Sequence, residues 1–275
     1  MTDQTSARIA FIGAGNMASS LVGGMLARGF SAGRLTLADI SAERLQMLAG
    51  QYGVNVTGSN SDAARDADVI LLAVKPQQMA EVCQALAPVV QARRPSPLVV
   101  SIAAGTPIAR IQGWLGAGTA VVRCMPNTPA LVQSGATGMF ASAEVSESQR
   151  VLAKAMLDAV GIALWLDSEE QLDAVTALSG SGPAYFFLVM EAMIAAGRAM
   201  GLDERLARQL TLQTALGAAQ MAVTSDDEPG ELRRKVTSPG GTTQAALNVM
   251  ESRQLRDTFL AALLAARDRS RELAG

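Results

Sequence analysis

The sequence predicts an α/β protein, with a doubly wound and mostly parallel sheet in residues 1–167 and an all-α domain in residues 168–275. In the first part, short apolar runs alternate with stretches of helical period, which is typical of a parallel sheet covered on both faces. From Ser168 onward the pattern is helical and rich in alanine and leucine. Two domains are ordinary for a chain of 275 residues.

The individual elements can be placed from their apolar patterns. Expected strands are Arg8–Ile12, Leu35–Ala38, Val69–Val74, Leu98–Ile102, Ala120–Cys124, Gly138–Phe140 and Ile162–Leu166. Helical periods occupy 16–28, 41–49, 77–90 and 146–160. In the second part, Pro183–Met200 is apolar almost all round, which predicts a buried helix. Some of that burial is expected against another copy of the chain; the alternative is a helix buried within its own domain.

The composition restricts the compartment and the partners. A net charge of −2 does not indicate nucleic acid or an anionic membrane as a partner. Cys83 and Cys124 do not form a disulfide framework and suggest a reducing compartment. The first residues do not resemble a signal peptide, and Pro183–Gly197 is too short to span a bilayer. We therefore expect a cytoplasmic protein.

The chain contains no histidine. This excludes a Ser-His-Asp triad, a Cys-His pair and zinc sites that need histidine. It also excludes the histidine acid and base of many 2-hydroxy-acid dehydrogenases. We expect no metal site.

A dinucleotide-binding fingerprint follows the first strand. The segment RIAFIGAGNMA from Arg8 contains Gly13-x-Gly15-x-x-Ala18 and leads into a helical pattern. Gly13 permits a tight turn, Gly15 lets a pyrophosphate approach the backbone, and Ala18 allows close packing of helix on strand. The alternative is a pair of glycines that serves only the turn.

The second strand ends at Asp39, close to where a ribose-binding acid is expected. A carboxylate there accepts from a 2′-hydroxyl and repels a 2′-phosphate, which modestly favours NADH over NADPH. The preference is modest because the side chain can turn away. The next basic residue is Arg44.

Two later strand ends should line the same crevice, since ligands of open α/β sheets bind beyond the carboxyl ends of strands. Lys75 and Pro76 follow one of these strands, and Asn127 follows the other. Lys75 could contact cofactor or substrate, or be a solvated loop lysine. Asn127 could present its amide to nicotinamide or substrate, or bond to the loop backbone.

A second binding turn, Ser238–Thr243, has the sequence SPGGTT and precedes a helical pattern. It contains no carboxylate, histidine or cysteine. A proline, two glycines and two hydroxyls at the start of a helix suit the binding of an anion. The alternative is a helix N-cap with its preceding turn.

Taken together, these motifs resemble the pyrroline-5-carboxylate reductase family over nearly the whole chain. The matching segments are FIGAGNM from Phe11, AVKP from Ala73, VSIAAG from Val100, MPNTP from Met125, LSGSGPAY from Leu178 and TSPGGTT from Thr237. The resemblance implies a Rossmann-type N-terminal domain and a helical C-terminal dimerisation domain. It also implies an active site shared between subunits, and dimers that often assemble into a decamer.

The substrate that the resemblance implies is a small cyclic imine with one carboxylate, reduced to proline by NADPH or NADH. The carboxylate would be held by Ser238, Gly240, Gly241, Thr242 and Thr243, with Thr243 as the catalytic residue beside the ring nitrogen. The lack of a proton-donating side chain in this turn then has a chemical explanation. An imine can arrive already protonated and accept hydride without a strong protein acid, unlike a ketone.

The resemblance also implies the remaining site residues. The cofactor would contact Ile12, Gly13, Ala14, Gly15, Asn16, Met17, Asp39, Asn60, Ala73, Val74, Lys75, Pro76, Ile102, Ala103, Ala104 and Asn127. Asn60 falls at the adenosine ribose, and Ile102–Ala104 fall at the nicotinamide end. Glu169 and Lys235 would line the substrate pocket, although each could be a surface charge. Lys235 departs from the asparagine of some members.

Three other functions are alternatives to pyrroline-5-carboxylate reduction. β-Hydroxyacid dehydrogenases carry a catalytic lysine where this chain has Phe186, and no lysine occurs between Lys154 and Lys235. A non-catalytic NAD(P)-binding regulatory protein would not need the second anion-binding turn. A related cyclic-imine reductase, acting for example on six-membered imino acids, shares every feature above.

Overall fold

All seven predicted strands are present in the computed structural model, which describes residues 6–274, and an eighth strand joins them. The expectation about a signal peptide, as far as it concerns residues 1–5, lies outside the described residues. The strands are β1 Ile9–Ile12, β2 Leu35–Ala38, β3 Asn55–Thr57, β4 Val69–Leu72, β5 Leu98–Ser101, β6 Val121–Met125, β7 Gly135–Ala141 and β8 Gly161–Trp165. They form one sheet in the order β3-β2-β1-β4-β5-β6-β7-β8.

The helices are α1 Asn16–Ala27, α2 Ala42–Tyr52, α3 Asn60–Ala64, α4 Met79–Ala92, α5 Ile108–Leu115, α6 Glu147–Asp158, α7 Gln171–Val175, α8 Gly182–Ala199, α9 Glu204–Thr224, α10 Pro229–Lys235, α11 Thr242–Ser252 and α12 Leu255–Ala274. A π-helical turn, Thr176–Gly180, lies between α7 and α8. Pattern analysis missed β3, α3 and α5 because these elements are too short to show a clear period.

The sheet is covered on both faces, as the apolar runs predict. In β4, Val69 and Leu71 belong to one hydrophobic cluster, whereas Ile70 and Leu72 belong to the cluster on the other face. All neighbouring strands are parallel except β6 and β7. Because β2 and β4 flank β1 on opposite sides, the chain reverses its winding direction at β1, and a ligand crevice is expected at the carboxyl ends there.

The chain divides into two compact units, Met1–Ser181 together with Ala266–Gly275, and Gly182–Ala265. This division falls later than the boundary that the sequence predicts near residue 167. The physical reason is that the π-helical turn is tied to the sheet. Asn127 donates from Nδ2 to the Ser179 carbonyl at 3.0 Å, and a Cβ on Gly180 would lie 2.6 Å from Met125 Cε.

The alternative in which α8 is buried within its own domain is wrong for the single chain. Phe186 is 69% exposed and Leu188 is 66% exposed. Within the described residues, the helical stretch Gln171–Ala199 is long and apolar enough, by length and composition alone, to cross a membrane. Sequence analysis judged this stretch too short because the apolar run starts only at Pro183, whereas the helix begins earlier. An exposed apolar helix needs a partner surface.

Candidate dinucleotide and substrate sites

The turn between β1 and α1 requires glycine at position 13. Gly13 has a φ of +95°, and a Cβ there would lie 2.7 Å from the carbonyl oxygen of Ala73. The Gly13 N–H donates to the Ala38 carbonyl at 2.8 Å, and the Ala73 N–H donates to the Ile12 carbonyl at 2.8 Å. The ends of β1, β2 and β4 therefore meet at one residue that has no side chain.

The start of α1 is open to a ligand. Gly15 is the N-cap residue, and no side chain caps the helix. A Cβ built on Gly15 would meet nothing within 4 Å. The first N–H groups of a helix have no partner inside the helix, and the helix dipole favours an anion beside them. These features fit a pyrophosphate next to Asn16 and Met17.

Asp39 is turned toward the glycine turn. Its Oδ2 accepts from the Ala14 N–H at 2.8 Å, and its Oδ1 accepts from the Ser41 N–H at 2.9 Å. Both oxygens of the carboxylate are thus engaged by backbone N–H groups. These hydrogen bonds compensate part of the negative charge of Asp39, which would weaken the predicted preference for NADH.

Arg44, on the first turn of α2, reaches across the same turn. Its Nε donates to the Ala14 carbonyl, and its Nη2 donates to Asn16 Oδ1 at 2.9 Å. The start of α2 is capped by Ser41, which accepts from the Arg44 N–H at 3.3 Å. Sequence reasoning did not include Arg44 in the cofactor site, because nothing in its spacing shows that its side chain folds back onto α1.

Asn60 is the first residue of α3, directly after β3. The strands β2 and β3 are parallel, with Ala38 opposite Thr57. Asn60 therefore lies at the same edge of the sheet as Asp39, as its predicted role at the adenosine ribose requires.

The carboxyl ends of β4 and β5 converge at a cavity of about 410 Å³. Pro76 and Ala104 line it, whereas Ala73, Val74, Ile102 and Ala103 are buried or half-buried at the strand ends beside it. Lys75 is exposed. Sequence reasoning missed the lining residues that come from distant parts of the chain, among them Thr176, Ser181 and Ser270. A larger cavity, about 620 Å³, lies next to Ser96 and Gly118, before the amino ends of β5 and β6.

The side chain of Asn127 joins three elements. Besides the bond to Ser179, its Oδ1 accepts from the Ala136 N–H at 2.9 Å. Asn127 is 9% exposed. These bonds use one of the two N–H donors and one of the two lone pairs of the amide, so a further contact with nicotinamide is still chemically available. The predicted cofactor role of Asn127 stays a prediction.

Glu169 lies in an ion pair with a buried arginine. Its Oε1 accepts from Arg123 Nη1 at 2.9 Å and from the Ile108 N–H, at the start of α5, at 2.8 Å. The Arg123 side chain is 8% exposed and that of Glu169 is 24% exposed. Glu169 thus joins β6, α5 and the segment before α7, a function that sequence reasoning did not anticipate. Its contact with substrate remains a prediction.

The turn Ser238–Thr243 lies in the second unit. Gly240 has a φ of +69°, and the Gly241 N–H donates to the Ser238 carbonyl at 3.0 Å. Gly241 is the N-cap of α11, and no side chain caps this helix. The N–H groups of Thr242 and Thr243 fall in the first turn, where helical N–H groups lack intrahelical partners. These features suit the binding of an anion, and the role of the turn in holding a substrate carboxylate stays a prediction.

Lys235, at the end of α10, contacts an acid of its own unit. Its Nζ donates to Asp227 Oδ2 at 2.5 Å, and this hydrogen bond raises the pKa of Lys235. The ammonium thus stays protonated three residues before Ser238, the start of the SPGGTT turn.

Neither cysteine has the character of a nucleophile. Cys83 and Cys124 are free and buried. Burial raises the pKa of Cys83 to about 11 and also raises the pKa of Cys124. Within residues 6–274, no cluster of three or more His, Cys, Asp or Glu side chains could hold a metal ion.

Comparison with known proteins places these sites in context. The family model for pyrroline-5-carboxylate reductase dimerisation matches residues 169–273, and the model for NADP oxidoreductase, coenzyme F420-dependent, matches residues 8–105. Pyrroline-5-carboxylate reductase from Pseudomonas aeruginosa is 57% identical over 267 residues, covering 97% of each chain.

Two solved structures are also similar over almost their full length. One is a pyrroline-5-carboxylate reductase from Coxiella burnetii, with a TM-score of 0.95, 44% identity, and coverage of 98% of this chain and 99% of that chain. The other is pyrroline carboxylate reductase from Plasmodium falciparum with NADP bound. It has a TM-score of 0.85, 30% identity, and coverage of 98% of this chain and 99% of that chain.

Proposed function

This chain belongs to the pyrroline-5-carboxylate reductase family. We propose that the turn before α1 binds the cofactor and that the turn before α11 binds the substrate of the family's reaction. The reaction is the reduction of 1-pyrroline-5-carboxylate to L-proline, the last step of proline biosynthesis. The turn at Gly13–Gly15 holds the pyrophosphate of the cofactor, and the turn at Ser238–Thr243 holds the carboxylate of the substrate. The observation that carries this division is that α1 and α11 both start at a glycine N-cap without a side-chain cap.

The cofactor is a nicotinamide dinucleotide, and we assign NADPH as the preferred form. Both carboxylate oxygens of Asp39 accept from backbone N–H groups, which compensates part of the negative charge that would repel a 2′-phosphate. The guanidinium of Arg44 lies at the same turn and can pair with a phosphate. The Plasmodium relative, which has NADP bound, agrees with this assignment. When bound, the reduced cofactor supplies the hydride.

The substrate turn orients the imine through its carboxylate. The free N–H groups at the start of α11 and the hydroxyls of Thr242 and Thr243 donate to the carboxylate oxygens. The positive φ of Gly240 lets the backbone form this turn. Lys235, three residues before Ser238, is assigned to the rim of the substrate pocket, where its ammonium is paired with Asp227.

Thr243 is assigned to the ring nitrogen. Thr243 is half-buried in the first turn of α11. Its hydroxyl can orient the protonated imine by accepting the N–H of the iminium at Oγ1. No strong acid is needed, because the product is an amine and the nitrogen already carries its proton. Catalysis then rests on positioning and on exclusion of water.

The assembly is a homo-oligomer, since the region that matches the dimerisation model contains the exposed apolar helix α8. We assign the apolar side chains of α8 to the contact with a second copy. Further assembly into a decamer and a cytoplasmic location are part of the proposal; two buried free cysteines agree with a reducing compartment.

The test is loss of absorbance at the reduced-nicotinamide band, with pyrroline-5-carboxylate as substrate and NADPH and NADH in parallel. We expect turnover by the wild type and none by Gly241→Trp, which blocks the substrate turn. Gly50→Trp is the matched control, because Gly50 is exposed and a Cβ there meets nothing within 4 Å. Wild-type protein that binds NADPH without any turnover would instead favour a regulatory NAD(P)-binding protein.

A further inference from the structure

One wall of the cavity at the carboxyl ends of β4 and β5 is the last helix of the chain. Pro76 and Ala104 line the cavity from the strand ends, Thr176 and Ser181 from the segment after α7, and Ser270 and Leu273 from α12. The volume is about 410 Å³. The cavity adjoins Ile102–Ala104, where the nicotinamide end of the cofactor is expected. A terminal helix therefore takes part in shaping this end of the site.

A specific hydrogen bond holds α12 against α7. Ser270 Oγ donates to Asp173 Oδ1 at 2.7 Å, and Arg271 Nε lies 3.8 Å from Asp173 Oδ2. Ser270 is 6% exposed, and the Asp173 side chain is 15% exposed. A hydrogen bond from a buried hydroxyl to a mostly buried carboxylate is stronger than one between neutral groups. The contact is therefore not an incidental surface pair.

The second attachment of α12 is to the turn after β5. Gly105 has a φ of +68°, and a Cβ there would lie 3.5 Å from the Leu273 carbonyl oxygen. The end of α12 thus lies close to the backbone of this turn. The Ser270–Asp173 bond and this close approach together hold the last turns of α12 in place as a wall of the cavity.

Asp173 also lies close to the cavity on its own helix. Asp173 and Thr176 are three residues apart, and residues at this spacing are neighbours on a helix surface. Thr176 lines the cavity and donates from Oγ1 to the Leu172 carbonyl at 2.8 Å. The Ser270–Asp173 bond therefore joins the two helical walls beside the space that they enclose.

We propose that Asp173 and Ser270 are positioning residues, which hold α12 so that the cavity fits the nicotinamide end of the cofactor. This inference rests on the proposed function, because it takes the cavity as the nicotinamide end of the site. The adenosine and pyrophosphate contacts at Gly15, Arg44 and Asn60 are made by other elements. Losing the Ser270–Asp173 bond should therefore weaken only the interactions of the nicotinamide.

The experiment compares two ligands that differ at that end alone. NADPH contains the nicotinamide ring, and 2′-phospho-ADP-ribose has the rest of the cofactor without it. Dissociation constants for both are measured by calorimetry on the wild type, Ser270→Ala and Asp173→Ala. We expect both variants to bind NADPH about tenfold more weakly, the effect of losing one charged hydrogen bond, and to bind 2′-phospho-ADP-ribose as the wild type does.

Two matched variants separate the hydrogen bond from the charge. Asp173→Asn keeps an acceptor oxygen for Ser270, and Arg271→Ala removes only the 3.8 Å ion-pair partner. Both should bind NADPH within about twofold of the wild type. If Ser270→Ala does not fold, Asp173→Ala against Asp173→Asn provides the same comparison.

Unchanged NADPH binding in Ser270→Ala and Asp173→Ala, or equal weakening of both ligands, would overturn the inference. Equal weakening would be the result of a purely structural contact. Failure of the proposed function would be seen in a different measurement. The wild type itself would then not reduce pyrroline-5-carboxylate.

Discussion

Glu169 Oε1 accepts a hydrogen bond from Arg123 Nη1 at 2.9 Å, and the arginine side chain is 8% exposed. A buried guanidinium that loses its carboxylate leaves an uncompensated charge, which is costly. The same Oε1 accepts from the Ile108 N–H at the start of α5. Glu169 is therefore predicted to contribute mainly to stability.

We expect Glu169→Ala to lower the free energy of unfolding by about 3 kcal/mol, measured by urea denaturation. Lys154→Ala is the control, since its pair with Asp158 is exposed, and it should change stability by less than about 1 kcal/mol. A Glu169→Ala protein with wild-type stability and a raised KM for the imine would instead support the predicted contact with substrate.

Substitution by alanine should lower the stability of the protein at Gly13 but not at Gly15. Alanine at Gly13 must adopt a φ of +95° and overlap the Ala73 carbonyl, so Gly13→Ala should lose at least about 2 kcal/mol of stability. Gly15 has a φ of −67° and open space around its Cα, so Gly15→Ala should fold normally.

Gly15→Ala should nevertheless bind NADPH roughly tenfold more weakly, because its methyl group stands where the pyrophosphate approaches. Thermal melting and NADPH titration on both variants check this. Normal NADPH binding by Gly15→Ala would contradict the assignment of the pyrophosphate to the start of α1.

Arg44→Ala should change the choice of cofactor. Removing the guanidinium should lower kcat/KM for NADPH roughly tenfold to a hundredfold, since a charged hydrogen bond to phosphate is lost. The kcat/KM for NADH should fall less than the kcat/KM for NADPH. Steady-state kinetics with both cofactors, with the exposed Arg28→Ala as control, measures the ratio. An equal loss with both cofactors would mean that Arg44 only supports the turn at Ala14 and Asn16.

Phe186→Asp should dissociate the oligomer. Phe186 on α8 is 69% exposed in the single chain, and a carboxylate placed in an apolar contact between copies would be desolvated without a partner. Analytical ultracentrifugation should show a smaller species. Leu131→Asp, at a residue that is 56% exposed in the first unit, is the control and should not change the assembly. An unchanged Phe186→Asp oligomer would place the interface elsewhere.

The fold was predictable where local pattern and tertiary environment agree. The strand Leu35–Ala38 was predicted with the bounds that the structure has, because its apolar run is bounded by polar and glycine residues. β3 was missed, since its three residues pack on one neighbour at the sheet edge and have no apolar pattern of their own. The sequence also could not decide between the two alternatives for α8, because an apolar surface does not show whether it meets its own chain or another copy.

For the sites, the sequence by itself determined the residues whose backbone is the functional group. Gly13 and Gly240 are recognisable because their turns need a positive φ, and Gly15 and Gly241 because they start a helix at the spacing that an anion-binding turn has. Side chains that act across elements could not be found in this way. Only the tertiary structure decided that Asp39 accepts from the Ala14 N–H, that Arg44 reaches α1, that Glu169 pairs with Arg123 and that Ser270 bonds to Asp173. The physical reason is that a side-chain hydrogen bond depends on distances between elements that are far apart in sequence, and local pattern contains no information on those distances.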